Sequence, residues 1–191
     1  MRRASQWSLL GLWIASVAQA ADSTAVDAFL KAPTPENYAP AQQALIASPA
    51  YRPYQQETMD AVLALVAKQQ YAEARGALEK AWDNWALSPR AHALAAQIAE
   101  KLGDAAAAKR EDALAAACLR GILSTGDGTI EKPYRIARIE DEYDVARHLQ
   151  KKVRQQVLVH QKGRTLDVLQ FKDASELHFD ATPLMETLRP K

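Results

Sequence analysis

Cysteine is almost missing from this chain: Cys118 is the only one. A single thiol excludes an internal disulfide framework and any paired Cys-x-x-Cys motif. Cys118 lies among Ala115, Ala116, Ala117 and Leu119, so a buried, inert thiol on a helix is expected rather than a nucleophile. Other chemical signatures are also lacking. There is no Gly-rich phosphate loop, no Gly-x-Ser-x-Gly elbow and no His-Glu-x-x-His. Gly126-Asp127-Gly128 has the look of a calcium-loop fragment, but the acids that should alternate after it are missing, and it reads as a turn. Nothing implies a cofactor. Neither sign of charge dominates, with 24 basic and 23 acidic residues. A near-neutral chain argues against nucleic acid as a partner.

Apolar runs of membrane-spanning length are absent too. The run from Trp7 to Val17 follows the basic start Met1-Arg2-Arg3 and precedes the small-residue site Ala18-Gln19-Ala20. That is the pattern of a cleavable secretory signal over residues 1–20, with an apolar core too short to cross a bilayer. No cysteine near the cleavage site offers a lipid anchor, and Arg2-Arg3 lacks the context of a twin-arginine signal. A bacterial periplasmic or secreted protein is expected, not membrane-anchored once the signal is removed. Loss of Arg2 and Arg3 leaves 22 basic against 23 acidic residues. The remaining ~170 residues suffice to bury a core without covalent staples.

Small residues superpose when the chain is shifted by 34: Ala74 falls on Ala108, Ala81 on Ala115, and Gln69 on Gly103. Two helix-turn-helix units follow, Tyr54–Lys68 with Tyr71–Trp85, then Pro89–Leu102 with Asp104–Gly121. Ser88-Pro89 supplies an N-cap and a first-turn proline, and Gly103-Asp104 a left-handed stop and the next cap. Gln70-Tyr71-Ala72-Glu73-Ala74 with Ala81, and Lys101-Leu102-Gly103-Asp104 with Ala108 and Ala115, resemble tetratricopeptide repeats over about a third of the chain. The chain departs from that pattern at Gln69, where no glycine stands, and in the alanine-rich second unit. Stacks of this kind normally need three units, so the helices before Gln55 or the C-terminal part must cap this one.

Upstream, a short helix over Thr24–Lys31, a proline-punctuated link and a second helix ending near Ala47 are expected. In the first unit Met59, Leu63, Val66 and Ala67 recur at helical spacing on the inner, concave side. Such a stripe is either a docking site for a protein or peptide partner or a surface the protein covers itself. Trp82 and Trp85, three apart, are expected to pack between helices.

After the turn-forming run Ser124-Thr125-Gly126-Asp127-Gly128 the pattern changes. Pro133–Ile139 reads as a strand, Asp141–Gln150 as a helix, and Val153–His160, Arg164–Phe171 and Glu176–Asp180 as strands. The fold class is therefore mainly α: helical hairpins over residues 21–122, then a small α+β domain over 123–191 ordered β-α-β-β-β with an antiparallel meander. A two-residue turn at Lys162-Gly163 pairs Val159 with Leu166 and Val157 with Val168. A two-residue turn at Asp173-Ala174 would place Phe179 opposite Val168 and Leu177 opposite Gln170. Gly126-Asp127-Gly128, Lys132-Pro133-Tyr134, Glu142-Tyr143 and Asp167-Val168-Leu169 with Phe179-Asp180 resemble an exported bacterial family, a domain of unknown function. The resemblance implies an α+β domain and carries no activity.

That register puts His160, Asp167, His178 and Asp180 on one face, ligand types suited to zinc or another divalent ion, with Asp167 directly across from Asp180. Glu142-Tyr143 reads as a packing tyrosine beside a solvated acid, and His92 and His148 as isolated packing or surface histidines. The leading expectation is a non-enzymatic protein- or peptide-binding module. The alternative is a metal-dependent or acid/base hydrolytic activity on the C-terminal sheet face.

Overall fold

The computed structural model describes residues 25–188, so the signal-like residues 1–20 lie outside it. Helix α1 (25–31) is followed by α2 (Pro35–Ala47), α3 (Glu57–Ala67), α4 (Tyr71–Trp85), α5 (Pro89–Lys101) and α6 (Ala105–Ser124). Then come β1 (Tyr134–Arg135), α7 (Ile139–His148), β2 (Val153–Gln161), β3 (Arg164–Phe171), β4 (Glu176–Asp180) and a short α8 (Thr182–Glu186). The protein is mainly helical with a four-stranded mixed sheet at its C-terminal end.

Local chemistry sets the helix boundaries. The Ser88 hydroxyl accepts from the Ala91 amide ahead of Pro89, and Asp104 accepts from the Ala107 amide at 2.9 Å. The turns that end α3 and α5 are closed alike, 34 residues apart. Gln70 N–H donates to Leu65 O and Asp104 N–H to Ala99 O, both at 2.9 Å. Gly103 takes φ +80° at its turn, and Gln69, without the glycine's freedom, takes φ +60° at the same place. Of the four alanines that superpose, Ala74 is fully buried, while Ala81, Ala108 and Ala115 are half-buried.

The sheet corrects the simple meander. Its order is β1-β4-β3-β2, and β1 lies parallel to β4, with Tyr134 beside Phe179. Only two residues of the expected strand Pro133–Ile139 pair, because side chains satisfy the backbone that follows. Gln42 donates to the Arg135 carbonyl, the Tyr51 hydroxyl to the Ala137 carbonyl at 2.6 Å, and Asp141 accepts from the Ala137 and Arg138 amides.

The β2–β3 register is as expected, Val159 facing Leu166 and Val157 facing Val168. The β3–β4 register is not. Phe171 and Ser175 close a three-residue turn with Ala174 at φ +66°, held by Asp173, which accepts from the Ser175 amide. Val168 therefore faces His178, and Leu169 faces Leu177. One extra turn residue exchanges the two faces of β4, since side chains alternate along a strand.

Two apolar clusters result. Met59, Val62, Ala74, Leu78, Trp85, Leu94 and Ile98 form one within α3, α4 and α5. The other joins Phe29, Tyr38 and Leu45 of α1–α2 and Ala117, Cys118 and Ile122 of α6 to Val145, Leu169, Phe171, Phe179 and Leu184. It thus unites elements from both sides of residue 123. Gly121 is required here, because a Cβ would come within 2.2 Å of the Tyr38 ring. Cys118 is buried in this cluster, and burial pushes its thiol well above the usual range.

Candidate functional site

Helices α3 and α5, each packed against α4, are separated by a groove of about 380 Å³. Met59 and Leu63 wall it from α3, Leu94 from α5, and Trp85 from the end of α4. Leu63 is 48% exposed, a large apolar side chain left open to water, whereas Met59 is only 6% exposed. Val66 and Ala67 lie outside the groove. Val66 packs against the α3–α5 cluster, and Ala67 is exposed on the far part of the helix. The inward stripe of α3 runs instead through Met59, Val62, Leu65 and Val66.

Charged groups from α5 and α7 close one end of the groove. Arg90 reaches Asp144 through Nη2 at 3.0 Å and Nε at 3.3 Å, and its Nη2 also meets the Glu140 carbonyl. Arg147 pairs with the same Asp144 from one turn further along α7. This triad fixes α5 against α7, and the bidentate geometry holds the Arg90 side chain still. Beneath it, the Arg138 guanidinium is buried 3.6 Å above the Trp85 ring and donates to the Asn84 carbonyl at 2.8 Å. Asn84 in turn brackets Arg52, accepting from its amide and donating to its carbonyl. The groove is therefore built by four helices, α3, α4, α5 and α7, together with Gln56 just ahead of α3.

Trp82 is half-buried and stands edge-on to His92, ring centroids 4.9 Å apart. His92 is not isolated: it is fully buried, with Nδ1 2.8 Å from Glu111 Oε2 and Nε2 2.9 Å from the Ala86 carbonyl. His148 is exposed at the end of α7.

The four candidate metal ligands do not converge. His160 and Asp167 share the face covered by helices, while His178 and Asp180 project from the other, a direct consequence of the three-residue turn. His160 Nδ1 meets the Thr165 hydroxyl at 3.0 Å, and His178 Nδ1 is 3.3 Å from the Gly128 carbonyl. Asp180 accepts from the Thr182 amide, and Asp167 faces Phe179 rather than Asp180. Among the described residues, no three His, Cys, Asp or Glu side chains are grouped to hold a metal ion.

Asp167 meets an acid that sequence reasoning placed in solvent. Glu142 is wholly buried, with Gln156 Nε2 donating to its Oε2 at 3.3 Å. Burial, reinforced by neighbouring Asp167, pushes its carboxyl up to about 10, so it keeps its proton at neutral pH. Asp141, also buried, rises to about 7 through desolvation, held back by the Ala137 amide. The signal was present in the chain. Glu140, Asp141, Glu142 and Asp144 fall within five helical residues that sweep more than a full turn, so they cannot all face water. Tyr143 alone of this run is exposed, donating to Gln156 Oε1 at 2.7 Å.

No protein-family model matches the chain, and no curated protein or solved structure is detectably similar to it.

Proposed function

We infer that this is a non-enzymatic, exported binding protein that takes an apolar side chain of a partner protein into the α3–α5 groove. The observation that carries this reading is Leu63, open to solvent on the wall of a 380 Å³ cleft whose far end is tied by the Arg90–Asp144 pair and the Arg138–Trp85 stack. Apolar side chains exposed beside a concave pocket mark binding surfaces more often than scattered ones do. The tetratricopeptide-like pattern supports the same reading, since stacked hairpins present their inner helices to ligands. The signal-like start supports an encounter in the periplasm or outside the cell. Among the described residues no helix is long and apolar enough to cross a membrane.

The test is site-specific photocrosslinking in the envelope. A crosslinker at Leu63 is expected to trap one partner that the same group at exposed Ala67 does not, and Leu63→Glu is expected to abolish competition by untagged protein. Because Leu63 is half exposed, Leu63→Glu should lower the melting temperature by only about 2 °C or less. Unfolding of that variant, or equal adducts from both positions, would remove the basis of the reading.

The alternative of a hydrolytic activity on the sheet face keeps one observation. Glu142 protonated beside Asp167 is the pairing that acid/base catalysts use. Both side chains are enclosed, however, and loss of a measured hydrolytic activity in Glu142→Gln would be needed to favour it.

A further inference from the structure

The sheet ends in an open edge. In the order β1-β4-β3-β2, strand β2 is outermost, nine residues long and free of proline. The turn at Lys162 and Gly163 has φ +50° and +76°, the two-residue geometry whose flanking residues, Gln161 and Arg164, form a hydrogen-bonded pair. Antiparallel alternation then points the main-chain N–H and C=O groups of Gln156, Leu158 and His160 away from β3. Among the described residues these groups have no main-chain partner.

Natural edges are normally blunted, and here both ends are: a bulge between Val153 and Gln155 at one, Lys162 at the other. The window between them is not. It is flanked by exposed apolar surface, Leu158 at 45% and Tyr143 at 37%. Along the chain its exposed charge has one sign, the nearby acids Asp167, opposite Leu158, and Glu142, bonded to Gln156, being buried. From Ala146 to Thr165 there is no acid, while Arg147, Lys151, Lys152, Arg154, Lys162 and Arg164 are cationic. Arg147 and Lys151 are neutralised by Asp144 and Asp173, but Arg154 reaches only the amide oxygen of Gln170.

We propose that β2 is a strand-addition site for an extended, acidic segment of another protein, independent of the α3–α5 groove. A second copy of this chain fits poorly. Antiparallel pairing about Leu158 would set Arg154 opposite Lys162 of the copy, like charges across a ladder. An acidic strand supplies the complementary charge at both ends, and its main chain satisfies the outward groups of Gln156, Leu158 and His160.

Amide hydrogen exchange read by NMR tests this with a capped peptide of alternating valine and threonine flanked by glutamates. At about 1 mM peptide, exchange at Gln156, Leu158 and His160 is expected to slow by roughly tenfold or more, with no slowing from a lysine-flanked version. Arg154→Glu and Lys162→Glu, both surface changes, should each weaken binding by roughly tenfold, as should high salt. Leu158→Pro removes an outward donor without taking a bond from β3, and should abolish protection while leaving the β3–β4 resonances in place. Unchanged exchange at those amides, or equal effects of the two peptides, overturns the proposal. So does slowing that tracks protein concentration alone, which would assign the edge to a second copy.

Discussion

At the scale of the residue, Gln69 holds a conformation and Glu142 a protonation state that its side chain resists. Gln69 occupies the left-handed region at the turn where Gly103 stands in the other hairpin. Replacing it with glycine relieves that strain, and Gln69→Gly is expected to raise stability by about 1 kcal/mol in chemical denaturation. Glu142 is the second. Its folded carboxyl lies near 10 against 4.5 for the free group, so between those values the folded protein retains a proton that the unfolded chain has released. Unfolding then becomes easier as pH rises, and the full stability is present only below the unfolded value. Glu142→Gln keeps the shape and removes the titration. Relative to the parent it should gain ~4 kcal/mol near pH 7.5 and nothing below about pH 4, a divergence readable from melts across pH. Parallel curves would show that Glu142 ionises normally in the fold.

At the scale of the element, much of the secondary structure was legible and the reasons are local. Caps at Ser88 and Asp104, the Pro89 start and the Gly103 stop act over one helical turn, and the hairpin at Lys162-Gly163 acts over four residues. The turn after β3 misled, because Asp173-Ala174 reads as a two-residue turn, yet the Asp173 side chain folds back on Ser175 and draws Lys172 into the loop. Strand β1 is short for a different reason. Distant side chains, Gln42 and Tyr51 with Asp141, take the hydrogen bonds that a longer strand would have made. The segment between α2 and α3 depends on such long-range bonds as well. Asn84→Ala frees the Arg52 amide and leaves the Arg52 carbonyl only its 3.3 Å contact from Arg138 Nη2, and should cost about 1–3 kcal/mol. Faster exchange of the Arg52 amide would mark the loss, and an unchanged rate would show that Asn84 is not what holds the segment.

At the scale of the whole molecule, the larger core joins the first helices to the last strands. Phe29 and Tyr38 share one apolar cluster with Phe171, Phe179 and Leu184, so α1 and α2 draw apolar partners from the sheet as well as from α6, where Tyr38 lies on Gly121. Removing residues 125–191 should melt α1 and α2 while the α3–α5 cluster survives, visible as lost helix content and protease cleavage before Gln55. A truncated protein retaining protected α1 and α2 would contradict that dependence. The same interlocking explains the acids of α7. Their spacing shows that they cannot all face water, but that Glu142 is the one that meets Asp167 is decided by which strand lies beneath the helix. What the sequence determined alone was set within a few residues: helix starts and stops, the matched turns at Gln69 and Gly103, and the β2–β3 register. Tertiary structure decided the rest, namely the parallel seat of β1, the exchange of faces on β4, the burial of Glu142 and the open groove beside Leu63. Those depend on which distant surfaces exclude water from one another, and burial is a property of the assembled neighbours rather than of any one segment.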